Sequence, residues 1–124
     1  MKKIRFIGLI LVFIVMLIGC EKKEVVKNYN ILEPGNWKDG TYTETAKGKK
    51  GKFDVTVEIV DGKIDSIIVG NNKETPNRGG VAIKQLPDEI IASQSIEVDG
   101  VSGATITSDG IKDAVARCLE RASK

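Results

Sequence analysis

The segment from Phe53 to Val69 limits the fold more than any other part of the chain. In Phe53-Asp54-Val55-Thr56-Val57-Glu58-Ile59 every second residue is apolar, the period of a strand with one buried face. Asp61-Gly62 follows, a dipeptide suited to the positive φ angles of a type I′ hairpin turn. Lys63-Ile64-Asp65-Ser66-Ile67-Ile68-Val69 returns as the second strand. Closing the hairpin at Val60 and Lys63 predicts Ile59 opposite Ile64, Val55 opposite Ile68, and Glu58 opposite Asp65. The last is a mildly unfavourable like-charge pair on the wet face. The register is still preferred, because a one-residue slip exposes the whole apolar set.

The remaining elements arrange themselves around this hairpin. After Asp39-Gly40, the threonine-rich residues 41–46 read as a further strand, and Gly48 to Gly51, amid lysines, as a turn. Residues 70–80 are dense in turn formers. Residues 81–86 suit a short helix that Pro87 ends, and Pro87 can start another helical turn with Ile90 and Ile91 facing inward. Residues 95–98 read as briefly extended. A final helix is predicted over residues 108–122, with Ile111, Val115, Cys118, Leu119 and Ala122 on one stripe. Cys118 on that stripe reads as a small buried hydrophobe. The fold class is therefore α+β: a small antiparallel sheet with a β-hairpin, packed by a helix-turn-helix segment and a C-terminal helix.

The N-terminus points to export. Lys2, Lys3 and Arg5 precede an uncharged apolar run, residues 6–18, too short for the roughly 20 residues of a spanning helix. Leu17-Ile18-Gly19-Cys20 fits a bacterial lipobox, and Glu21-Lys22-Lys23-Glu24 turns the chain polar directly afterwards. The predicted division is a signal peptide over 1–19, a tether lipidated at Cys20 over 20–36, and one globular domain over 37–124. This places the chain on the cell membrane, lipid-anchored at the extracytoplasmic face. Without residues 1–19 the chain carries sixteen Lys and Arg against seventeen Asp and Glu, a net charge of −1, which gives no reason to expect nucleic acid. With no histidine, and with Cys20 committed to lipid, neither a metal site nor an intrachain disulfide is expected.

The stretch most suited to chemistry is Asp99-Gly100-Val101-Ser102-Gly103-Ala104-Thr105-Ile106-Thr107-Ser108. It is a loop of small residues running into the start of the last helix. Thr107 or Ser108 can cap that helix. The same free N–H groups and helix dipole suit a phosphate, with Gly103 and Ala104 allowing close approach, although Asp109 in the first turn opposes an anion. The residues alone leave both readings open.

The segment from Asp99 to Thr105 resembles the Asp-x-x-Ser/Thr-Gly-Ala-Ser/Thr signature of FMN-binding domains, found in flavin subunits of sodium-pumping and ferredoxin-linked respiratory complexes and in bacterial lipoproteins. The likeness runs from Gly40-Thr41-Tyr42 through Asp61-Gly62, Glu74-Thr75-Pro76 and residues 111–115. It implies flavin mononucleotide (FMN) attached covalently to Thr105 as a phosphoester by an extracytoplasmic flavin transferase that uses FAD and magnesium. It also implies cofactor-binding roles for Asp99, Ser102, Gly103, Ala104 and Thr107, with Glu74 and Thr75 beside the flavin ring or forming a solvated turn. Members often carry a histidine before the Glu-Thr-Pro and a glycine after it, where this chain has Asn71-Asn72 and Asn77. No residue is expected as a catalytic acid or base. The implied function is an electron carrier between membrane quinone-linked donors and an extracytoplasmic redox partner. The alternatives are a non-flavinylated lipoprotein binding module and a flavin reductase with its own substrate pocket.

Overall fold

The computed structural model describes residues 29–124, so the expected signal peptide and Cys20 lie outside the described residues. Three strands, β1 (Gly40–Gly48), β2 (Gly51–Val60) and β3 (Lys63–Val69), form one antiparallel sheet in the order β1-β2-β3. Two helices, α1 (Gly79–Ser93) and α2 (Thr105–Ala122), pack against it, α2 chiefly on β1 and α1 on β3 and α2. The expected α+β class and hairpin are present.

The alternation in β2 does what its period implies. Phe53, Val55, Val57 and Ile59 are buried against Leu86 and Ile90 of α1 and Ile111, Val115, Cys118 and Leu119 of α2. The opposite face is polar. Thr43 and Thr56 meet through their hydroxyls at 2.9 Å, and Thr45 donates to Asp54 at 3.3 Å. An antiparallel sheet with one wet face needs only this. Asp61 (φ 54°) and Gly62 (φ 79°) both take positive φ, as a type I′ turn requires. At Gly62 space adds a second demand, since a Cβ would lie 2.3 Å from the carbonyl oxygen of Gly35.

The predicted register fails beyond the first two pairs. Val60 faces Lys63 and Ile59 faces Ile64, but Glu58 then faces Ser66 and Val55 faces Val69. A bulge at Asp65 absorbs one residue and turns β3 over, so that Ile67 packs against the core and Ile68 is 60% exposed. The physical gain is visible on the wet face. The Glu58–Asp65 repulsion disappears, and Ser66 donates to the Glu58 carboxylate at 3.3 Å instead.

Two further expectations are corrected. The helix around Pro87 does not stop there. Losing one helix bond costs about 3 kcal/mol, while burying a large aliphatic side chain returns roughly 1.5–3 kcal/mol. The fully buried Leu86 and Ile90, one turn apart on either side of Pro87, together offset it. Residues 95–98 connect the helices without joining the sheet. Gln94 ends α1 in the left-handed region (φ 54°), and its side-chain amide accepts from Ile64 N–H at 2.8 Å and donates to Ile64 C=O at 3.0 Å, tying α1 to β3. Finally, residues 29–36, assigned to a tether, are docked. Tyr29 bonds Asp113, Asn30 N–H donates to Glu120 at 3.1 Å, Leu32 N–H to the Ser123 hydroxyl at 2.9 Å, and buried Trp37 to Leu32 C=O at 2.9 Å.

Candidate functional site

The hairpin tip between β1 and β2, the loop before α1 and the start of α2 converge on one cleft of about 590 Å³. The loop before α2 turns at Ser102-Gly103, closed by Ala104 N–H to Val101 C=O at 2.9 Å. Gly103 sits at φ 82° with open space around it, so backbone conformation, not crowding, calls for glycine there. Val101 N–H donates to the Ser108 hydroxyl at 3.0 Å and Lys112 Nζ to Val98 C=O at 2.8 Å, which fixes the loop to the helix it enters.

α2 begins at Thr105, three residues earlier than predicted, and this changes several roles. Its first internal bond is Ser108 N–H to Ala104 C=O at 2.9 Å, and no side chain caps the amides of the preceding turn. Thr107 and Ser108 are therefore not caps. Asp109 falls outside the first turn, so its objection to an anion lapses. α1 likewise starts without a side-chain cap, and its first residue, Gly79, lines the same cleft. The open N-terminus of α2 thus faces a space walled by Lys49, Lys50 and Arg78, whereas at α1 the Gly80 and Val81 N–H groups are already held by the Thr75 and Arg78 carbonyls at 2.8 and 3.0 Å.

Glu74 organises this convergence. It is 8% exposed and accepts hydrogen bonds from the Thr107 hydroxyl at 2.5 Å, Lys50 N–H at 2.8 Å and Lys49 N–H at 3.3 Å. Burial pushes its carboxyl up. The Thr107 hydroxyl, the two amides and the Lys50 charge outweigh that and hold it below its ordinary value. Gly48 and Gly79 make room for it, since a Cβ on either would come within 2.5 Å of a Glu74 carboxylate oxygen. Asn72 holds the approach to Glu74 by accepting from its N–H at 3.1 Å. Of the two readings of Glu74, a solvated turn is excluded by its burial.

Thr105 and Thr107 consequently differ. Thr107 is 1% exposed with its hydroxyl given to Glu74, whereas Thr105 is exposed at the cleft. The structure brings together Glu74, Thr75, Gly103, Ala104, Thr105 and Thr107. Asp99 and Ser102 are exposed and do not line the cleft. Cys118 is far from it in role as well. Burial, then the nearby Glu44 carboxylate, push its thiol up to about 11, consistent with a packing residue.

Residues 48–120 match the FMN-binding domain family, more than half of the chain. The chain belongs to that family. A Vibrio harveyi NADH:acrylate oxidoreductase is 31% identical over 103 residues, 80% of this chain, and an uncharacterized protein of Treponema pallidum is 34% identical over 88 residues, 71% of this chain. The chain spans only 10% and 24% of these relatives' lengths. A Clostridium perfringens protein solved by crystallography shares the fold, with a TM-score of 0.56 and 27% identity over 69% of this chain and 88% of its own.

Family membership makes this a flavin-binding domain of electron-transfer type, and its cleft fits FMN. The volume lies within the roughly 300–1,000 Å³ of small-molecule sites. The α2 N-terminus and the lysines suit a phosphate, and Ile106, 55% exposed, offers an apolar surface beside Thr105. Lys49, Lys50, Arg78 and Ile106 were not picked out from the sequence. Two adjacent lysines between Gly48 and Gly51 were the available signal, but only the hairpin's fold across to α2 gives them a site.

Proposed function

We propose that this FMN-binding domain is an extracytoplasmic, lipid-anchored electron carrier with FMN joined through a phosphoester to Thr105. The contrast between two threonines carries the reading. Thr105 is exposed at the start of α2, whose first amides no side chain caps, and the hydroxyl of its near neighbour Thr107 is buried and committed to Glu74. An attachment catalysed by a separate flavin transferase needs an acceptor oxygen that another protein can reach. Helix amides and the Lys49 and Lys50 ammonium groups stabilise the charge that the phosphoester keeps.

Bound FMN supplies the redox chemistry, and the chain's residues supply attachment, orientation and field. The only buried carboxylate at the cleft, among the described residues, is Glu74, and its three hydrogen bonds leave it a positioning group. On this reading the domain works as a carrier. The Vibrio relative's name, an oxidoreductase, supports redox work over a flavin-free binding module. Export and anchoring at Cys20 are supported by the basic, apolar and lipobox segments in sequence. Because residues 29–36 are docked, only residues 20–28 separate the lipid from the domain. Nine residues reach at most about 30 Å, which keeps the cleft close to membrane quinone-linked donors.

The test is in-gel flavin fluorescence of chain co-expressed with a flavin transferase. Wild type and Thr107→Val should fluoresce after denaturation and Thr105→Ala should be dark. A folded but dark wild type would defeat the reading.

A further inference from the structure

The lysines around the cleft mouth form a second feature. Lys47, Lys49, Lys50 and Lys52 surround the β1–β2 turn, and Lys73 joins them across a hollow of about 400 Å³ lined by Lys50, Lys52 and Lys73. All five are exposed. None takes part in an ion pair among the described residues, whose salt bridges lie at Glu44, Asp113, Arg117 and Arg121. The sheet register sets Lys47 directly opposite Lys52, a like-charge pair that costs stability. Residues 29–124 carry thirteen Lys and Arg against fifteen Asp and Glu, so this cationic end belongs to a domain whose net charge is −2. Charge is thus segregated, with cations gathered where the cleft opens.

We propose that this lysine rim is the docking surface for an acidic redox protein, which it orients over the cleft. The anatomy matches a transient protein interface, an apolar centre at Ile106 within a charged, solvated rim. An anionic bilayer fits less well. Of the exposed large hydrophobics among the described residues, Leu32, Val60, Ile68 and Ile106, only Ile106 lines the cleft beside Lys49 and Lys50, and one side chain is little apolar surface to enter the acyl region. Rim charges of this kind mainly raise the rate of encounter, and their effect fades with salt. The proposal depends on the flavin reading only in making the cleft mouth the place of electron exchange.

The test measures association of the full-length chain, in uncharged detergent, with an acidic flavodoxin as probe. A rim variant, Lys47→Glu/Lys52→Glu/Lys73→Glu, leaves the cleft-lining Lys49 and Lys50 in place. A control variant, Lys38→Glu/Lys63→Glu/Lys124→Glu, changes net charge equally at the other end of the sheet. At low ionic strength the rim variant should associate at least about tenfold more slowly and the control less than about threefold, with the gap closing as salt is added. Equal effects of the two variants would overturn the proposal. So would a rim variant that loses binding to phosphatidylglycerol vesicles while its flavodoxin association is unchanged, the signature of a membrane patch. Repeating the series in Thr105→Ala separates the claims. A rim effect that persists in a chain that carries no flavin upholds the docking surface even where the carrier reading fails.

Discussion

Glu74→Ala is expected to destabilise the domain by about 2–4 kcal/mol, because it strands buried donors that now share one carboxylate. The Thr107 hydroxyl and the Lys49 and Lys50 amides all lose their acceptor at once. In a domain of this size that corresponds to a fall of roughly 10–20 °C in Tm. Glu74→Gln keeps one acceptor oxygen but turns an NH₂ group toward N–H donors, so it should fall between. The pH dependence follows from the depressed carboxyl. A group whose folded pKa is lowered contributes stability that is complete above its unfolded pKa and is lost as pH falls through the folded value. Wild type should therefore lose stability below the ordinary carboxylate range more steeply than Glu74→Gln. Thermal melts at neutral and acidic pH check both statements. A Glu74→Ala melt within about 2 °C of wild type would mean that this carboxylate does not hold the cleft together.

Gly110→Ala should destabilise where helix propensity predicts the reverse. Alanine for glycine inside a helix ordinarily gains about 0.5–1 kcal/mol. Here α2 crosses β1 so closely that a Cβ at position 110 would lie 2.2 Å from the Lys47 carbonyl oxygen and 3.0 Å from its carbon. Backbone cannot swing aside as a side chain does, so α2 must lift from the strand. Forced shifts of this kind cost about 1–3 kcal/mol beyond the forfeited gain. The displacement also parts Thr105 from the Lys49-Lys50 tip, so flavin incorporation should drop with stability. Urea titration reads the first effect and flavin absorbance per chain the second. A more stable Gly110→Ala would show that the helix and strand have slack.

The hairpin, the buried face of β2 and the stripe of α2 were legible in the sequence because period and turn chemistry are local properties. The errors share a different origin. The bulge at Asp65 answers a cross-strand charge clash, which single-strand periodicity does not contain. Helix continuity through Pro87 depends on burial of Leu86 and Ile90 by other elements. The early start of α2 comes from a chain closed by the Ser102-Gly103 turn rather than by a hydroxyl cap. At the site, Thr105 was reached by resemblance to a family signature. The roles of Glu74 and Thr107 needed the fold, since residues 33 apart meet only when the loop before α1 lies against α2. Asp99 and Ser102 share the signature with Thr105, yet they stand outside the cleft.

Intact mass with fragmentation of the transferase-treated chain tests the central claim most directly. The account predicts one added FMN less one water, localised to Thr105, absent from Thr105→Ala and retained in Thr107→Val. An unmodified folded wild type, or an adduct that maps to Thr107 or Ser102, would contradict it.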